Sequence, residues 1–156
     1  MAHGLLDAPL VVVNRCGIEL LSALLHDETC AVDEISYEPS TKRLLLPTRR
    51  QFHEGSEVVV GVQGDATTYE KSWMRTEVAI EHVINWKKHD DQGIGDYSFN
   101  EWSVNGHVLQ IVFCEALVIV VEVDQLWITV TDLGFRGRAR IVRYPGGAES
   151  SSSRVY

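Results

Sequence analysis

Between Ser22 and Ser36 the chain reads SALLHDETCAVDEIS, which gathers His26, Asp27, Glu28, Cys30, Asp33 and Glu34 into one short segment. Imidazole, thiolate and carboxylate are the ligand types that zinc takes, so His26, Cys30 and Asp33 form a candidate set. Their spacing argues against it. A strand over 29–37 would turn Cys30 and Asp33 to opposite faces, and the segment matches no recognised ligand motif. Polar residues between a helix and a strand are easily hydrated, so the cluster is expected to be a solvated seam. No metal or other cofactor is expected.

A second set of candidates is His82, Trp86, Asp96, Tyr97, Glu101, Trp102 and His107. Alternation over Thr76 to Trp86 puts Val78, Ile80, His82, Ile84 and Trp86 on one side of a predicted strand. A histidine on such a face is expected to be buried, neutral and hydrogen-bonded. The competing reading is a pocket formed with Trp86 and Trp102, in which His82 acts as a general base or ligand contact and His107 opens the next strand. The stretch DYSFNEW, 96–102, adds Asp96, Tyr97, Glu101 and Trp102 behind a glycine-bearing loop. Aromatics with polar tips suit a ligand pocket or a protein interface, and equally the packing of a sheet. Gly-x-Ser-x-Gly, a phosphate-cradling glycine loop and His-Glu-x-x-His are all missing from the sequence, so no residue is assigned as catalytic.

The elements that must position these residues follow from periodicity. Ile18, Leu21 and Leu25, with Leu20 and Leu24, recur at helical spacing and predict a helix over 17–27 opened by Asn14 or Cys16-Gly17. A strand from Thr29, a turn at Glu38-Pro39-Ser40-Thr41 and a strand at 43–46 predict a hairpin. Residues 57–62 are expected to form a short strand, 63–68 a loop and 87–96 an exposed loop. The parity switch in 117–130 is read as a hairpin around Asp124-Gln125, pairing Val121 with Ile128, or as one bulged strand. Arg136, Arg138, Arg140 and Arg143 mark a last edge strand, and 145–156 a flexible Gly/Ser-rich tail.

A chain of 156 residues fits one domain, here 1–144 followed by that tail. The longest apolar run falls far short of the roughly 20 residues of a membrane span, and no signal-peptide core is present, which predicts a cytoplasmic protein. Three widely spaced cysteines predict free, mostly buried thiols. The net charge of −8 is uneven: 135–156 holds five of the fourteen basic residues but one of the twenty-two acidic ones. An acidic body makes nucleic acid an unfavoured partner and gives the basic end an intramolecular role.

The segments ELLSALLHDETCAVDEISYEPSTKRLLL (19–46), TEVAIEHVINW (76–86), HVLQIVFCEALVIVVEV (107–123) and TDLG (131–134) together resemble a family of small uncharacterised bacterial domains. In that family a helix leads into a strand, a turn with proline and a basic strand. The resemblance spans roughly residues 10–134 and implies an α+β fold with antiparallel strands, and no activity. The expected architecture is therefore α+β, an N-terminal helix followed by a mainly antiparallel, curved sheet or half-barrel. The expected function is that of a non-catalytic protein-binding or self-associating module. The alternative is a small-molecule binder or small enzyme with its pocket near His82, Trp86 and Trp102.

Overall fold

A computed structural model describes residues 6, 8–51, 58–144 and 149–155. Strand β1 (Leu10–Val12) leads into helix α1 (Arg15–Leu25). The side chain of Asn14 accepts the Gly17 N–H at 2.9 Å and caps the first turn. Ile18, Leu21 and Leu25 are its buried stripe. A Cβ on Gly17 would come within 2.9 Å of Val12 Cγ1, so glycine is what lets the first turn sit against β1. The helix ends where His26 turns extended and Asp27 takes φ 66°.

The remaining elements are strands β2 (Thr29–Ala31), β3 (Ser36–Glu38), β4 (Arg43–Gln51), β5 (Val58–Gln63), β6 (Ala66–Ile80), β7 (Val83–His89), β8 (Asp96–Asn105), β9 (Val108–Phe113), β10 (Val118–Val123), β11 (Ile128–Arg143) and β12 (Glu149–Val155). Short 3-10 turns cover Val32–Glu34 and Cys114–Ala116. All strand pairs are antiparallel, in the order β1-β11-β6-β4-β2-β8-β9-β10-β7, with β12 on β11, β3 on β4 and β5 on β6. The long β6/β11 ribbon is the spine. Its half near Ile80 and Ile128 is flanked by β4 and β1, and its other half by β5 and β12.

One hydrophobic cluster joins the two ends of the sheet. Leu44, Leu46, Val78, Ile80, Ile128 and Val130 meet Phe99, Leu109, Ile111, Phe113, Ile119 and Val121, with the apolar stripe of α1 packed among them. Burial of this continuous apolar surface is the main stabilising term.

The α+β expectation is overturned: the protein is predominantly antiparallel β, with a single α-helix among the described residues, and the strands continue well beyond a half-barrel. The hairpin at Ser36–Glu38 and Arg43–Gln51 is present. The hairpin around Asp124-Gln125 is not. Strand β10 pairs with β7 and β9, while β11 leaves it to join β6 and β1. Two register shifts, at Asp132/Gly134 and Phe135/Gly137, interrupt the alternation of β11. The arginine-bearing end of β11 is not an edge, since β6 and β12 flank it. Strand β12 falls within the expected tail, of which 145–148 and 156 lie outside the described residues. Of the cysteines, Cys30 is buried, Cys114 half-buried and Cys16 exposed, in contrast to the expected burial. No helix among the described residues is long and apolar enough to cross a membrane.

Candidate functional site

The residues of the opening cluster separate. His26 and Asp27 form an exposed pair at 3.1 Å beyond the helix end. Glu28 departs from the solvated reading: it is buried, and its carboxylate accepts the Gln51 N–H at 2.5 Å, tying the end of β4 to the helix-strand junction. Cys30 is fully buried, and desolvation pushes its thiol up to about 12, against a lowering hydrogen bond with Thr48. It therefore stays protonated at neutral pH. Among the described residues no three of His, Cys, Asp and Glu gather as metal ligands do.

The second set also disperses. Strand β6 stops at Ile80, and His82 takes φ 56° in the tight link to β7, so its side chain is exposed rather than on an apolar face. Its carbonyl accepts the Asp124 N–H, and His107 Nδ1 lies 3.1 Å from the Val123 carbonyl oxygen, so both histidines border the end of β10. Trp86 stands opposite Val121. Trp102 is buried against α1, with its backbone N–H donated to Ser22 Oγ at 3.0 Å and its ring 5.5 Å from that of Phe99. Tyr97 is buried too: its hydroxyl donates to Asp91 Oδ1 at 2.7 Å and accepts the Gln92 N–H at 2.8 Å, fastening the 90–95 loop. The Gly93 N–H, the Tyr97 hydroxyl and Lys88 hold the Asp91 carboxyl below its ordinary range. Glu101 is exposed.

Of the set, Asp96 lines a sizeable cavity. A groove of about 380 Å³ lies on the outer face of the sheet, across β2, β4, β6 and the start of β8. Alternation along β4 sends Leu44, Leu46, Thr48 and Arg50 inward and leaves Pro47 and Arg49 facing out. Arg49 Nη2 meets Asp96 Oδ2 at 3.0 Å, and its guanidinium lies 5.7 Å from the Trp73 ring centroid. Arg75 stands directly opposite Arg49 across the β4/β6 ladder. It is exposed and has no ion-pair partner among the described residues. Glu34, in the 3-10 turn, closes the other side and is likewise unpaired. The sequence reading missed Arg49, Trp73 and Arg75. The signal for the latter two is the outward parity Trp73-x-Arg75, in a stretch to which the sequence pattern assigned no element.

Beneath the groove, Arg50 turns into the protein. Its Nη2 and Nε donate to Asp132 Oδ2 and Oδ1 at 2.6 and 3.2 Å, while the Thr76 hydroxyl and the Leu6 N–H add donors at 2.7 and 2.9 Å. Burial raises the Asp132 carboxyl, but these donors and the charge of Arg50 outweigh it and hold the group below its ordinary range.

A third feature is the edge of β5. Its register shift between Val59 and Gly61 sets Val59 opposite Tyr69 and Val62 opposite Thr67, so both valines emerge on one face, 53% and 69% exposed. Among the described residues no strand pairs with its other side.

No protein-family model, curated protein or solved structure matches the chain.

Proposed function

We propose that this protein is a non-catalytic, self-associating module in which β5 of one copy adds antiparallel to β5 of a second. The observation that carries this reading is the edge of β5 that no strand pairs among the described residues, an uncharged strand, Val58–Gln63, with Val59 and Val62 exposed on the same face. Unpaired strand edges are templates for a further strand, and proteins commonly block them with charge or by keeping them very short. Strands β1 and β3 are three residues long, and the edge strand β7 presents exposed Lys87, Lys88 and His89. Pairing β7 with its own copy would oppose like charges, whereas a two-fold axis between Val60 and Gly61 sets Val59 against the second copy's Val62 with none. The non-catalytic half of the reading is supported by the state of the reactive groups: the Cys30 thiol is buried and protonated, and the His82 and His107 rings are exposed at a turn and a strand start.

Light scattering after size exclusion, over about 1 μM to about 1 mM protein, is expected to show a concentration-dependent dimer. Val59→Lys, at an exposed position, should return the monomer while leaving the melting temperature within a few degrees. A wild-type monomer across that range would overturn the proposal.

A further inference from the structure

We infer that the groove between β6 and the β2/β8 side is a binding site for a small zwitterion of the α-amino acid type, held by its carboxylate at Arg75 and by its ammonium at Glu34. This inference is independent of the self-association through β5, because none of the groove's lining residues belongs to that strand.

The groove's volume, about 380 Å³, lies within the range of about 300–1,000 Å³ occupied by small-molecule sites. Its charges are arranged rather than mixed. Strand order places Glu34 and Asp96 on the β2/β8 side and Arg75 on β6, with Arg49 on β4 between them. Two arginines directly opposite across a ladder repel each other unless something neutralises both. Asp96 neutralises Arg49, and Trp73 lies against the same guanidinium. Among the described residues Arg75 and Glu34 are then the two rim charges left without partners, one on each side of the same depression.

That remainder selects the ligand. A guanidinium fork matches the two oxygens of a carboxylate, and an ammonium is a compact donor suited to a lone carboxylate such as Glu34. With two guanidinium groups and two carboxylates around the rim, the groove carries no formal excess charge. A dianion such as phosphate would meet Arg75 but also the repulsion of Glu34 and Asp96. A simple amine would meet the reverse. A molecule with one charge of each sign satisfies both sides at once, and its side chain is left against the Trp73 indole and Pro47, the apolar part of the lining.

The test is isothermal titration of the purified full chain with each common free amino acid, beside N-acetyl-leucine, leucinamide and inorganic phosphate. Saturable binding of at least one free amino acid below about 10 mM is expected. The acetylated acid and the amide should bind at least about tenfold more weakly than the corresponding zwitterion, each lacking one charge-assisted contact. Arg75→Gln and Glu34→Gln, both at exposed positions, should each lower affinity by about tenfold or more while keeping the wild-type melting temperature. Phosphate or N-acetyl-leucine binding as tightly as any free amino acid would overturn the inference in favour of a plain anion site. Failure of every free amino acid to bind would overturn it outright, as would wild-type affinity in both variants.

Discussion

Arg49 and Arg50 are neighbours in the chain and occupy opposite sides of the same strand. Arg50 is 1% exposed and answers to Asp132, Thr76 and the Leu6 N–H through a carboxylate that is itself 3% exposed. Arg49 is 41% exposed, shares Asp96 with solvent and faces an open groove. The same guanidinium thus has two roles, set by strand parity. Inside, its charge must be matched or the strand is destabilised; outside, water absorbs the charge and leaves the group free to bind.

The buried half of this contrast is the easier to break. Asp132→Ala removes the carboxylate and leaves Arg50 charged in a dry site, so unfolding free energy from urea titration should fall by about 3–5 kcal/mol. Replacing both, as Arg50→Met with Asp132→Leu, should recover much of that loss because the buried guanidinium and its carboxylate are removed together. If the single variant unfolded like the wild type, Arg50 would have to be hydrated, and the two arginines would not differ.

Acid provides a gentler probe of the same pair. The folded-state pKa of Asp132 is depressed below the ordinary aspartate value of about 3.9, so its contribution is fully present above that value. It is lost as pH falls through the lower folded pKa. Stability of Asp132→Asn should therefore decline less steeply than wild type below about pH 4, measured by chemical unfolding at successive pH values. Parallel curves would show that the carboxylate does not sense the fold.

On the outer side the expected effects are small. Arg49→Ala breaks a half-exposed pair and should change stability by less than about 1 kcal/mol, with a further reduction in salt. A loss as large as that of Asp132→Ala would mean that the groove is part of the structural core.

How much of this was legible varies by element. Helix α1 was legible because Ile18, Leu21 and Leu25 repeat at its own period and Asn14 caps it, all within a few residues. The turn at Pro39 and the strand after it were legible from the proline and the run Leu44-Leu45-Leu46, whereas the strand expected over 29–37 is broken by the 3-10 turn at Val32–Glu34. His82 misled because its parity continues that of Val78 and Ile80, while the left-handed turn that ends β6 depends on β7 finding β10. Asp96 was singled out for its aromatic neighbours, yet the structure joins it to Arg49, an arginine from a distant strand. Glu28 looked solvated because carboxylates at element junctions usually are, and only the arrival of Gln51 gives it a buried donor.

The sequence by itself determined where α1 lies and that the chain turns at Pro39 into β4, since these depend on patterns within a single segment. Only the tertiary structure decided that β6 pairs with β11, that Arg75 stands opposite Arg49, and that Glu34 closes the same groove. Those are choices of strand neighbour and register, fixed by burying both inner faces together, and no local pattern encodes which distant strand will fill the next position.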